Sequence, residues 1–505
     1  MGKVVRGRGR WVGVALLAAA AVGCLLAPLP ASGAGEVWPR LETMAALFLV
    51  GAVTVVAASR ARGPRSVVRW VALVVAGGAC LDLLPLLRDP SYRGFARLVP
   101  VISPSGVDFR DGLYEPAAAF SSHDSIWPPL TLVLGRPFTL LSAHSGYLVQ
   151  LVVLVVLGGL AAYLTAALCV GEAGTGAPLT PPDAGSLAGG RAELALVMGL
   201  WLFSSYGFLF ELERGNVNLY ALVLSLLAVW LLLRHPGQRW LCALCLAAAI
   251  GVKLFPATLL IVFFWKYRWK GVIPVLVTNV VVLLVAGPGN AVRFLGNLLA
   301  TQGDPSGWFW PGNHSASSFG SYVGRAVGVS GQAAGVALSV LSLSLWVVTI
   351  VLLFRRGWSR ERALLAAAAS FPVMCTLPAV SHDYKLTQLV FPLAVQIVLL
   401  ARTSRARPSL WAGAFAVTGL ELVFLARSVQ LPVLNLYRPD TLASDALLSN
   451  HYPWIVLLQL SLLGAVLSAE AGGARREAAA AAGGVCGAPD PARAAAAASG
   501  RDERS

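Results

Sequence analysis

Apolar runs recur along the chain near residues 11–30, 41–59, 67–87, 147–170, 193–211, 218–233, 271–287, 334–354, 363–380, 386–401, 409–426 and 452–469. Each approaches the roughly 17–25 residues an α-helix needs to cross a bilayer. The pattern predicts an all-α, polytopic membrane protein with about 12 transmembrane helices. One further stretch, "RWLCALCLAAAIGVKLFPATLLIVFFWKYRWKG", has basic residues at both ends and glycine and proline between Gly251 and Pro256. A straight helix would carry Lys266, Arg268 and Lys270 to the opposite side from Arg234 and Arg239. A broken helical hairpin keeps both basic ends together, with Lys253 near its tip, and irregular backbone at membrane depth is tolerated where it lines a cavity.

The polar segments between the runs are of two kinds. Short basic clusters, such as "RRGWSRER" and "RTSRAR", alternate with longer segments rich in acids, amides, histidines and aromatics. The positive-inside rule puts the basic clusters in the cytoplasm. Asp108, Asp111, His123, Asp124, Glu211, Glu213, Arg214, Asn216, Asn218, Asn313, His314, His382 and Asp383 are thereby expected on the outer side. A site, if present, faces outward. The expected divisions are N-terminal transmembrane helices over 1–87, a catalytic transmembrane unit over 88–469 with outer loops 88–146, 288–333 and 427–451, and a disordered cytoplasmic tail over 470–505.

Composition refines this picture. The 505 residues are 57% hydrophobic and 12% charged, with formal net charge +15. Because the basic residues cluster at the ends of apolar runs, the charge reports topology, and no nucleic-acid partner is expected. The seven cysteines are spread along the chain, so reduced thiols are expected. Cys242 and Cys245 form a CxxC without a second pair. No phosphate-binding or dinucleotide fingerprint appears, and no metal-ligand spacing, so neither a cofactor nor an essential metal is expected.

"DFRDGLYEPAAAF", "WPPLTLVLGRPFTLL", "ERGNVNLYALVLSLLAVWLLL", "AAAIGVKLFPATLLIVFFWKYRWKG", "GNHSASSFGSYVGRA" and "SHDYKL" follow one another in this order. Over roughly residues 100–400 this set resembles the polyprenyl-phosphate-mannose-dependent α-mannosyltransferases of actinobacterial envelopes, integral-membrane glycosyltransferases of the GT-C fold. The resemblance implies a polyprenyl-phosphate sugar donor, a glycolipid or polysaccharide acceptor, and a catalytic aspartate in the first outer loop. Asp108 matches it, ahead of Tyr114, Ala117 and Ala118, with spacing about two residues longer than the family pattern, so Asp111 is the alternative. The family's glycine-polar-x-Asn motif maps onto Gly215, Asn216 and Asn218, its helix-tip lysine onto Lys253 and its late histidine onto His382.

These residue types suit the chemistry. Transfer of a sugar to a hydroxyl by single displacement needs a carboxylate to take the acceptor proton, and cationic or hydrogen-bonding groups on the departing phosphate. Asp108 can supply the first. Lys253, Arg214, His382 and Lys385 can supply the second, with Asp111, Asn216, Asn218, Asn313, His314 and Asp383 as further substrate-binding candidates.

Plainer readings stand beside these. Asp108 could be a solvated loop acid, Lys253 a snorkelling helix-end residue, and Asn216 and Asn218 caps of a helix starting at Leu219. His382 and Asp383 could mark a helix boundary, with Asp383 and Lys385 as a local ion pair. Trp308 and Trp310 fit interface anchors, and "NHS" at Asn313 is formally a glycosylation sequon. A lipid-linked sugar flippase or transporter is the rival class, and a scaffold the third, but the chain lacks the internal repeat a transporter of this kind often carries.

Overall fold

The computed structural model describes residues 45–57, 64–88, 107–114, 127–128, 130–170, 188–285, 287–303, 312–403, 408–427 and 450–484. The expected first apolar run, His123, Asp124, Trp308, Trp310 and most of the last outer loop lie outside them. The longer helices are α1 (Ala45–Ala57), α2 (Pro64–Arg88), α3 (Ala143–Cys169), α4 (Ala188–Ser204), α5 (Tyr206–Arg214), α6 (Asn218–Arg234), α7 (Arg239–Val252) and α8 (Leu260–Tyr267). They continue as α9 (Trp269–Val285), α10 (Pro288–Gly303), α11 (Ala316–Val327), α12 (Gly331–Arg355), α13 (Arg360–Thr376), α14 (Val390–Thr403), α15 (Pro408–Ala426) and α16 (Tyr452–Gly484). Among the described residues there is no strand, and the isolated bridge Asn313–His382 pairs two loops.

Serines set several helix starts, as expected of side chains that accept from orphan N–H groups. Ser142, Ser205, Ser315, Ser330 and Ser359 accept in this way ahead of α3, α5, α11, α12 and α13. The chain is a membrane protein: α12 is strongly apolar, yet only 22% of its most apolar window is buried inside the protein. Such a surface needs an apolar solvent. The turn Asp383–Leu389 and α14, by contrast, form the centre of the bundle, with 89% of their window buried.

Three helical segments among the described residues are long and apolar enough to cross a membrane, or up to five if each of two bent pairs is one span. Seven further apolar helical stretches of 10–17 residues lie among the described residues, some of them parts of longer helices such as α2 and α16. These spans are all-helical, as expected, but fewer than the expected twelve or so crossings are seen among the described residues, and some apolar runs are broken rather than straight. One break is at Ser205, where α4 and α5 meet at 59°. The segment "ELER", expected as outer loop, continues this helix to Arg214.

A second break is at Lys253, whose backbone is extended, followed by Pro256 in a short turn of 3-10 helix. A straight helix from Pro236 would carry Tyr267 about 45 Å away at 1.5 Å per residue. Instead the Tyr267 hydroxyl donates to the Pro236 carbonyl at 2.8 Å. The chain therefore turns back at Lys253, and α9 packs against both α7 and α8. At the other end, α16 runs on to Gly484, into the tail expected to be unstructured. That stretch lacks large apolar residues but is rich in alanine, the strongest helix former.

Candidate active site

Asp108 sits in a single helical turn, Val107–Phe109. The neighbouring Phe109 holds that turn in place, its ring 5.4 Å from Phe138 and 5.9 Å from both Tyr114 and Tyr147. Tyr147 in turn donates its hydroxyl to the carbonyls of Leu212 and Glu213, each at 2.9 Å. This satisfies acceptors that the end of a helix leaves open. The aromatic contact thus ties the turn carrying Asp108 to the end of α5, which carries Arg214.

Gly215 ends α5 with φ +66°, a left-handed conformation that glycine adopts without steric cost. A Cβ there would stand 2.6 Å from Cβ of Phe109. Glycine is needed twice over, for its φ and for the close approach of the Asp108 turn. Beyond it, Asn216 Oδ1 accepts the backbone N–H of Asn218 at 3.0 Å, while its Nδ2 donates to Asp108 Oδ2 at 2.7 Å. Turn formation and contact with the carboxylate are combined in one side chain.

Arg214 completes the grip, with Nε donating to Asp108 Oδ2 at 2.8 Å and Nη2 to Oδ1 at 2.6 Å. Such a bidentate, charge-assisted pair is strong and directional. Burial alone would raise the pKa of Asp108, but the Arg214 charge, the hydrogen bonds from Arg214 and Asn216 and the Lys253 charge outweigh it and lower the pKa. Asp108 is therefore a carboxylate at neutral pH. The Lys253 ammonium lies 3.8 Å from the centre of the Trp127 ring and 5.4 Å from that of Tyr384, a cation–π arrangement at the same spot.

Asn218 lies one layer behind. Its Nδ2 donates to the Tyr384 carbonyl at 3.0 Å and to Thr387 Oγ1 at 2.8 Å. The start of α6 is capped from a distance, since the Leu219 N–H donates to Glu211 Oε1 at 2.5 Å. His382 is half-buried, with its ring 5.7 Å from Tyr384. Burial, then the nearby Arg214 charge, push its pKa down to about 3, so the imidazole is neutral. Asp111 is elsewhere: it faces the surface and pairs at 2.9 Å with Arg110, its neighbour in sequence.

A second cluster adjoins the first through the loop Ala379–Lys385. His314 Nε2 is 2.7 Å from Asp383 Oδ1, and His451 Nδ1 is 4.0 Å from the same oxygen. Asn313 braces the loops, its Nδ2 donating to Ala379 and its Oδ1 accepting from Ser315 and Ser381. Burial, then the Lys385 charge for His314 and the His314 ring for His451, push both imidazoles down to about 3. The expected Asp383–Lys385 ion pair does not form. Asp383 turns to His314, and Lys385, only 6% exposed, donates to the Val380 carbonyl at 2.5 Å. Polar segments expected to be solvated loops are buried because they pack onto one another as caps of the bundle.

Trp127, Asn450 and His451 are the members of these clusters that the sequence reading did not single out, and Glu211 was placed on the outer side without a role. The second "Asn-His" pair, Asn450–His451, repeating Asn313–His314, was the available signal.

Comparison with known proteins gives one match: the family described as glycosyltransferase family 87, over residues 126–381, about half of the chain. The chain belongs to glycosyltransferase family 87. No curated protein and no solved structure matches it. The chain is therefore a membrane-embedded glycosyltransferase. Arg214, Asn216, Asn218, Lys253, Asn313 and His314 fall inside the matched segment, while Asp108, His382, Asp383 and Lys385 flank it.

Proposed function

We propose that this glycosyltransferase moves a sugar, mannose by its resemblance to the polyprenyl-phosphate-mannose-dependent enzymes, from a polyprenyl-phosphate donor to a hydroxyl of an envelope glycolipid or polysaccharide. The reaction takes place at the outer face of the cytoplasmic membrane, with Asp108 as general base. The observation that carries this reading is the buried Asp108 carboxylate held by Arg214 and Asn216 beside Lys253.

The arrangement suits a single displacement. Without substrate, Arg214 neutralises Asp108 and keeps it deprotonated. A donor phosphate brings a second anion that competes for the Arg214 guanidinium, whose side chain is 34% exposed and so accessible. As Arg214 turns partly to the phosphate, Asp108 loses hydrogen bonds that suppress its basicity. The acceptor oxygen attacks the anomeric carbon, the bond to the phosphate oxygen breaks with its electron pair, and the acceptor proton passes to Asp108. Lys253 and the neutral His382 stabilise the departing phosphate, while Trp127 and Tyr384 offer faces to the sugar. The polyprenyl chain lies along apolar helix surfaces. Membership of a transferase family favours this reading over carriage of a lipid-linked sugar.

The test is incubation of membranes carrying the protein with labelled polyprenyl-phosphate sugars and, in parallel, labelled nucleotide sugars. Label should reach a glycolipid or polysaccharide from polyprenyl-phosphate mannose. Transfer from the nucleotide sugar alone, with the lipid-linked donor inert, contradicts the proposal.

A further inference from the structure

The cluster of His314, Asp383 and His451 has no part in that chemistry, yet it is fully built. The three residues come from the loops that open α11, the turn before α14 and α16, and all three are buried. His451 Nε2 lies 2.9 Å from the Arg427 carbonyl, which can only accept. The proton is therefore on Nε2, and Nδ1 presents a lone pair. That lone pair looks at Asp383 Oδ1 from 4.0 Å. Among the described residues, His451 Nδ1 is buried without a hydrogen-bond partner. A buried lone pair aimed at a carboxylate oxygen is a costly arrangement unless something positive joins them.

We propose that His314, Asp383 and His451 form a binding site for a divalent transition metal, zinc in the first instance. One ligand atom from each residue lies within 4.8 Å of the others. Two ligands about 2.0–2.1 Å from a tetrahedral zinc are roughly 3.3 Å apart. The His314–Asp383 contact therefore has to open slightly, and the widest separation, 4.8 Å, to close by about 1.5 Å to reach the tetrahedral spacing, movements within reach of side-chain rotation. Two imidazoles and one carboxylate select zinc and its neighbours over magnesium and calcium, which prefer oxygen. A backbone carbonyl fixing the tautomer of His451 is the usual support of a metal-binding imidazole. Bound zinc would fasten together the loop that carries His382 and Tyr384 and the starts of α11 and α16. On loading, His314 binds through Nε2 and carries its proton on Nδ1.

The full-length chain, purified in detergent and stripped with a chelator, is loaded with zinc chloride or magnesium chloride and dialysed. Metal per chain and the thermal midpoint are then measured. About one zinc and no magnesium should be retained, with a rise in midpoint. His451→Ala and Asp383→Asn should abolish retention, while a Cys242→Ser/Cys245→Ser variant keeps it. Cobalt loading of the unmodified chain provides a readout that needs no variant, since nitrogen and oxygen ligation without thiolate gives a distinct visible spectrum. Failure of the folded chain to take up zinc, loss of zinc from the cysteine variant, or a thiolate-type cobalt spectrum overturns the proposal.

Discussion

Arg214 and Asp108 face each other fork to fork, at 2.8 and 2.6 Å, across 106 residues of sequence. Removing the arginine leaves a buried carboxylate with only Asn216 as a direct side-chain donor. Breaking one side of a fully buried pair costs about 3–5 kcal/mol, and partial exposure of Arg214 places this case toward the lower end. Arg214→Ala should therefore unfold at lower denaturant than Asp108→Asn, which removes the charge itself. Denaturation of the two variants in the same detergent checks the order.

The lowered pKa of Asp108 sets the sign of a pH effect. Its stabilising contribution is fully present above its unfolded value of 3.8 and is lost as pH falls through the lower folded value. Between about pH 5 and 8 Asp108 does not change charge in the free enzyme. The pH profile of kcat/KM should then show no acid limb from this group above about pH 4. A limb in the neutral range that shifts in Asp108→Glu would show that Arg214 does not hold the carboxylate as described.

Gly215→Ala should be harmful although it adds one methyl group. The left-handed backbone alone costs roughly 1–2 kcal/mol for a residue with a Cβ, and the new atom meets Phe109 at 2.6 Å. The turn bearing Asp108 must then shift. Both a lowered thermal midpoint and a reduced kcat are expected, and a variant with wild-type values in both would contradict the packing described.

Lys385 and His382, three residues apart, should part company. Lys385 is buried on a backbone carbonyl, so Lys385→Ala leaves that carbonyl without its donor, typically a cost of about 1–3 kcal/mol, and should lower the yield of folded protein. His382, half-buried beside Tyr384, should tolerate alanine with near-normal abundance but reduced turnover. Quantifying folded protein and rate for each separates the two effects.

Much of the catalytic grouping was legible in the sequence because its members belong to local motifs. "ERGNVN" brings Arg214, Gly215 and Asn216 into one helix end and turn, and a break at "GVKLFP" follows from glycine and proline around Lys253. Single-sequence reading could not decide between Asp108 and Asp111, since the choice depends on contact with Arg214 across the fold. It also treated Glu211 and Lys385 as solvent-facing, because hydropathy measures a residue's own polarity and not the loops that close over it. The joining of His314, Asp383 and His451 was hidden for the same reason, the first two being 69 positions apart. Apolar runs marked most of the helices but not where Ser205 breaks one of them.

The most direct test of the central claim is the rate of sugar transfer from polyprenyl-phosphate donor by Asp108→Asn and Asp111→Asn, measured at equal amounts of folded protein. Asparagine keeps the size and a hydrogen-bonding oxygen of Asp108 but cannot take the acceptor proton. A general base is typically worth about 10²–10⁴ in rate, so Asp108→Asn should fall by that factor while Asp111→Asn stays within a few-fold of wild type. If Asp108→Asn transfers sugar at a near-normal rate and Asp111→Asn is inactive, the buried carboxylate held by Arg214 is a structural ion pair and the base lies at the surface.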